Sequence, residues 1–187
     1  MFDQDRLKRI IEAVLMSSRE PISVKKLLSI FPEEAIPSQE ILYACINQLQ
    51  QAYAGHAFEI VEVSSGFIVQ TRIEYAKWIQ ALEPEKPAKY SHAVLETLAV
   101  IAYKQPVTRA EIEEIRGVSL SSSILKTLLE REWIQIAGYR DLPGKPAVYT
   151  TTAIFLNDLN LKSLTELPPI QLSEEETEKH LNHRGDM

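Results

Sequence analysis

Apolar positions fall into a pattern that repeats. Leu7, Ile10, Ile11, Val14 and Leu15 recur at the spacing of one helix face and predict an amphipathic helix over about residues 4–17. Arg19-Glu20-Pro21 ends it. Ser23 is a candidate N-cap for a short second helix with Leu27, Leu28 and Phe31 inward, stopped by Pro32. Ser38 opens a third, with Ile41, Leu42, Cys45, Ile46, Leu49 and Tyr53 on its apolar face and Gly55 at its end. FEIVEV, the turn Ser64-Ser65-Gly66 and FIVQT then read as a β-hairpin. Tyr75, Trp78, Ile79 and Leu82 suggest a closing helix over roughly 73–82.

The order returns in the second half. Ser91 caps a helix carrying Val94, Leu95, Leu98, Ile101 and Ala102. Lys104-Gln105-Pro106 repeats the Arg19-Glu20-Pro21 type, and Val107-Thr108 repeats Ile22-Ser23 at an offset of 85 residues. Thr108 with Glu111 has capping-box spacing, and Gly117 suits a left-handed turn. A helix is expected from Ser119 to Arg131, with Ile124, Leu125, Leu128 and Leu129 inward. IQIAG and AVYTT flank Asp141–Pro146 as a second hairpin. Thr151 or Thr152 caps a short helix with Phe155, Leu156 and Leu159, and the pattern closes on LTELPPI.

Each half is therefore helix, helix-turn-helix, hairpin, short helix. The expected fold is mainly α with small β-hairpins, an α+β arrangement of two tandem winged-helix (helix-turn-helix) domains. Residues 1–83 form the first domain, 84–90 a Pro-containing charged linker, and 91–170 the second domain. The acidic stretch 171–187 is expected to be a disordered tail.

Charge changes this picture, because winged helices often read DNA. Net charge is −6. Residues 1–83 carry 8 Lys/Arg against 11 Asp/Glu, and residues 84–170 carry 10 of each, so no block is strongly basic. Phosphate binding needs clustered cations, so DNA contact is expected to be indirect or weak. The reading-helix position presents Ser121, Ser122, Ser123, Lys126 and Arg131; its counterpart presents Gln39, Glu40, Asn47, Gln48 and Gln51. Lys145, Arg140 and Lys104 could touch phosphate only as a weak wing. No apolar run reaches bilayer length, and the first twenty residues lack a signal-peptide core, so the expected location is the cytoplasm, without membrane contact.

Candidate chemistry is sparse. Cys45, the sole cysteine, lies on an apolar helix face and reads as an inert buried thiol. GYRDLPGK fails as a phosphate loop: Gly138 and Gly144 are spaced one residue too far, and Pro146 stands where a hydroxyl would hold magnesium. His180 and His183 lack further ligands, and Glu174–Glu176 reads as a helix start. The expected sets of catalytic, cofactor-binding and metal-binding residues are all empty, and the chain is not expected to be an enzyme.

Aromatic residues Phe2, Tyr43, Tyr53, Phe58, Phe67, Tyr75 and Trp78 crowd the first half. A core of this size cannot hide all of them. The third helix and hairpin, through Tyr43, Tyr53, Phe58 and Phe67, are the candidate self-association surface, with core packing as the competing assignment for each.

Residues 94–118 read VLETLAVIAYKQPVTRAEIEEIRGV, followed by LLERE at 128–132, LPGKPAVYTTTAIFL at 142–156 and LKSLTELPPI at 161–170. On these motifs the chain resembles the bacterial segregation and condensation protein B family. The likeness covers most of 91–170; over 1–83 it is one of layout. Thr150, Lys145 and Leu159-Asn160 depart from the family pattern, which often has Gly, Arg and Phe-Gly there. The resemblance implies two winged-helix domains in series and a homodimer formed mainly through the first. It implies binding of the kleisin, segregation and condensation protein A (ScpA), and through it the SMC ATPase, in chromosome condensation and segregation. It implies no catalytic residue and no cofactor. For the kleisin, the expected contacts are the outer face of Ser119–Arg131, the wing and the LTELPPI end, with Lys126, Arg131 and Arg140 singled out. The alternative is a winged-helix transcription regulator.

Overall fold

The computed structural model describes residues 3–82 and 90–169. The expectations for Phe2, for most of the 84–90 linker, for Glu174–Glu176, for His180 and His183, and for the tail lie outside the described residues.

Four helices and a hairpin build the described part of the first half. Helix α1 (Gln4–Ser17) buries Leu7, Ile11 and Leu15, one residue per turn along the predicted stripe. Helix α2 (Val24–Leu28) starts where the Ser23 hydroxyl accepts the Lys26 N–H. A 3-10 turn at Glu33–Ala35, which the pattern did not reveal, leads to α3 (Gln39–Ala52), capped by Ser38 on the Ile41 N–H. Strands β1 (Phe58–Val63) and β2 (Gly66–Thr71) pair antiparallel, from Phe58 opposite Thr71 to Val63 opposite Gly66. Ile22 exchanges both backbone hydrogen bonds with Phe67, at 2.8 and 2.9 Å, and so adds a third strand position beside β2. The closing helix is split into a 3-10 turn at Ile73–Tyr75 and α4 (Ala76–Leu82), and neither buries a residue.

In the second half, α5 (His92–Lys104) is capped by Ser91, and β3 (Val107–Thr108) takes the place of Ile22-Ser23. Helix α6 (Arg109–Arg116) opens on the complete Thr108–Glu111 capping box and ends at Gly117, whose φ of 68° is the left-handed conformation glycine favours. Helix α7 (Ser122–Glu130) begins three residues later than expected. Ser121 is its cap, and Leu120 turns into the core instead of leaving Ser119 to start a turn. Strands β4 (Ile134–Tyr139) and β5 (Ala147–Thr151) form the wing in a sheet ordered β3-β5-β4, with a register shift between Ile136 and Gly138. Thr152, not Thr151, caps α8 (Ala153–Asp158).

The described architecture is thus mainly α with small antiparallel sheets, and the helix-turn-helix-plus-wing order occurs twice. Buried side chains fall into two clusters. One joins Leu7, Ile11, Leu27, Leu42, Ile46 and Phe67; the other joins Leu98, Ile101, Ile112, Leu120, Leu128 and Phe155. Ile41, expected on the apolar face of its helix, is exposed instead, and Leu95 and Leu159 are also exposed on theirs. Asn160, where the resembled family often has glycine, adopts φ 55°, a left-handed conformation asparagine tolerates. No helix among the described residues is long and apolar enough to cross a membrane.

Candidate functional site

The reading-helix face of α7 is polar but not basic. Lys126 lies 3.6 Å from Glu130 one turn on, so its charge is partly matched in place. Lys126 shares a shallow depression with Arg109, Ser122, Leu129 and Tyr149. Arg109 is spent on structure: it pairs with Glu113 at 3.0 Å, donates to Ser122 Oγ at 3.2 Å and reaches the Leu120 carbonyl. Glu113 also accepts the Leu120 N–H, and this bond, with Arg109, holds its carboxyl below the usual range. Arg109 and Glu113 together fasten the α6–α7 turn.

Arg131 caps the other end of α7 and lies 5.4 Å from the Tyr90 ring centroid. Arg140, where β4 runs into the wing turn, donates to Glu111 Oε1 and the Pro106 carbonyl, both at 3.3 Å. Glu111 in turn accepts the Thr108 N–H, and that bond is the main reason its carboxyl titrates low. Arg140 lines the wing-tip hollow with Tyr139, Asp141 and Lys145. The fold therefore brings Lys126, Arg131 and Arg140 to three separate places: Lys126 to the α6–α7 depression, Arg140 to the wing-tip hollow and Arg131 to the Tyr90 ring.

The same half carries an apolar groove that the charge reading missed. Leu95, Leu98, Tyr103, Leu159, Leu161 and Leu167 line a groove of about 390 Å³ between α5, the end of α8 and the LTELP segment. The exposed Leu95 and Leu159 are its rims. Tyr103 ties its hydroxyl to the Pro168 carbonyl at 2.5 Å and so closes one end. The sequence marks Leu95 and Leu159 as apolar positions of their helices, and in the structure they face this groove rather than the core.

In the first half, the four aromatic candidates separate. Phe67 is a core residue at 2% exposure, since its strand lies between Ile22 and β1. Tyr53 is half-buried, and its hydroxyl donates to Glu12 at 2.6 Å, a bond that pushes the phenol pKa up. Tyr43 packs edge-on against Phe67 at 5.7 Å between ring centroids and keeps one side in solvent. Phe58 is exposed. Beyond them Ile73, Trp78, Ile79 and Leu82 expose an apolar face on α4 and its preceding turn, at 88% for Ile73 and 59% for Trp78. A seven-residue helix gains little from its own hydrogen bonds, so such a face calls for a partner surface.

Cys45 is fully buried, and desolvation pushes its thiol up, away from nucleophilic reactivity. Among the described residues no group of three or more His, Cys, Asp and Glu is placed to hold a metal.

The family model described as Segregation and condensation complex subunit ScpB matches residues 9–170. A Segregation and condensation protein B homolog from Coxiella burnetii is 46% identical over 164 residues, which are 88% of this chain and 78% of the relative. Segregation and condensation protein B from Clostridioides difficile is 42% identical over 171 residues, covering 90% of this chain and 94% of the relative. A crystal structure of ScpB from Mycobacterium tuberculosis covers 85% of this chain and 98% of its own at 30% identity, with a TM-score of 0.40.

Proposed function

This chain belongs to the segregation and condensation complex subunit ScpB family, and from that premise we propose that it is a non-enzymatic adaptor that binds the kleisin ScpA. In this reading residues 1–83 and 91–170 act as two domains. The first forms a homodimer, and the second receives the kleisin. Through that kleisin the dimer biases the SMC ATPase, in the cytoplasm at the nucleoid. The mechanism is binding alone. The supporting observation is the apolar groove of Leu95, Leu98, Tyr103, Leu159, Leu161 and Leu167, whose rims are exposed leucines rather than cations. An amphipathic helix laid into such a groove buries apolar surface at both rims. Lys126, Arg131 and Arg140 stay as proposed polar contacts elsewhere on this half, apart from the groove. Self-association uses Phe58, the open side of Tyr43 and the α4 face, with Tyr53 and Phe67 supporting from beneath.

The test is calorimetric titration of the full chain with the middle region of ScpA. Leu159→Glu is expected to abolish capture, and charge reversal at Lys126, Arg131 and Arg140 together to weaken it. Binding that survives both sets of changes refutes the placement, and absence of binding by the unaltered chain refutes the function. Trp78→Glu is expected to yield a monomer in light scattering. A transcription regulator would instead bind DNA tightly and sequence-selectively in a salt titration. The matched Lys126–Glu130 pair on α7 argues against that outcome.

A further inference from the structure

The hairpin turn of the first half reaches across to the end of α8 in the second. The Ser64 N–H donates to the Leu161 carbonyl at 2.9 Å. The Ser65 N–H donates to Asn157 Oδ1 at 3.0 Å, and Asn157 Nδ2 donates back to Ser65 Oγ at 2.9 Å. Lys162 Nζ sits 2.6 Å from Glu62. Four polar contacts thus join residues 62–65 to residues 157–162, and an open cleft of about 640 Å³ flanks them. With solvent beside the joint, relative placement of the halves depends on these directional bonds. Each is modest in water, and they act together only in one geometry.

The far side of the same segment is a groove wall. Leu161 donates its N–H back to the Leu156 carbonyl at 2.8 Å, while its own carbonyl takes the Ser64 N–H. Leu159 and Leu161 line the apolar groove. One short segment therefore faces the first half through its polar atoms and the groove through its leucines.

We propose that the Glu62–Ser65 turn is a latch: it holds the two halves in one orientation and braces the Leu159–Leu161 wall of the groove from behind. The attachment raises the Lys162 pKa, because its ammonium is hydrogen-bonded to the Glu62 carboxylate. The consequence is a link between the self-associating half and the groove, since a change that shifts the turn also loosens the wall. The groove's use for ScpA rests on the function proposed above, but the latch does not.

The experiment places nitroxide labels at Lys25→Cys and Glu114→Cys, both exposed helix positions, in the full chain. The buried Cys45 is shielded from label. Labelled protein is diluted into excess unlabelled chain, so that only distances within one chain are read. The double change Glu62→Lys with Ser65→Ala lies wholly in the first half. It is expected to broaden a narrow distance distribution at least about twofold and to speed hydrogen exchange at the Leu161 amide about tenfold. Glu62→Lys combined with Lys162→Glu is expected to keep the narrow distribution. A broad distribution in the unaltered chain, or an unchanged distribution and exchange rate in the first variant, overturns the latch. Neither readout involves a partner, so a failure of ScpA binding leaves this result standing.

Discussion

Gly66→Ala offers the sharpest test of how the first half is assembled. Gly66 opens β2 at φ 133°, and a Cβ built there would lie 2.2 Å from the Ile22 carbonyl oxygen and 2.7 Å from Ser23 Cα. The obstacle is backbone, so it yields only if the Ile22 segment moves away. That movement breaks the paired Ile22–Phe67 hydrogen bonds and shifts Ser23, the cap of α2. Backbone strain of ~1–3 kcal/mol and two lost hydrogen bonds of ~1 kcal/mol each give a loss of roughly 3–5 kcal/mol. A unit of roughly 80 residues has a stability of roughly 4–12 kcal/mol, so this half would be brought near unfolding. Gly55→Ala is the matched control: its φ is 86° but nothing lies within 4 Å, so only strain of ~1–2 kcal/mol applies. Native-state hydrogen exchange separates the halves, with the Ile11 and Ile46 amides reporting the first and the Ile101 and Leu128 amides the second. If Gly66→Ala and Gly55→Ala differ by less than ~1 kcal/mol at Ile11, the steric argument is refuted. Equal losses in both halves would refute the assignment of the contact to the first core.

Further outcomes concern the second half. Thr108→Ala removes one side of the capping box and is expected to destabilise that half by about 1 kcal/mol in urea titration, with the first half unchanged. Leu128→Ala, at a fully buried position, is expected to lose about 2–5 kcal/mol in the same assay. Acid should affect this half first. Glu96, held low mainly by Arg116, joins Glu111 and Glu113 as carboxylates lowered in the native state. Their stabilising contribution is present above the ordinary glutamate value of about 4.3 and is lost as pH falls through their lowered values. An acid titration followed by circular dichroism should show a shallower decline for Glu111→Gln.

Local physics made most elements readable. Ser23, Ser38 and Ser91 act as caps because a hydroxyl at that position meets an otherwise unpaired N–H, and Thr108 with Glu111 does so reciprocally. The start of α7 was misplaced because Ser119, Ser121, Ser122 and Ser123 are all competent caps. Burial of Leu120 selects Ser121, and burial is not local. The candidate surfaces were less legible. Periodicity marks a residue as apolar without saying whether its neighbour is core or groove: Leu95 and Leu159, legible only as apolar positions of their helices, face a groove, and Phe67, which the pattern leaves open between surface and core, is core.

What the sequence determined by itself was the repeated order of helix-turn-helix and wing, the caps, and the family motifs between 94 and 170, because all of these depend on neighbours along the chain. What only the tertiary structure decided was which faces remain open. The separation of Lys126, Arg131 and Arg140, the exposure of Trp78 and Leu82, and the meeting of Ser65 with Asn157 each depend on elements distant in sequence. Burial and orientation are properties of pairs of surfaces, and a linear pattern specifies only one surface of each pair.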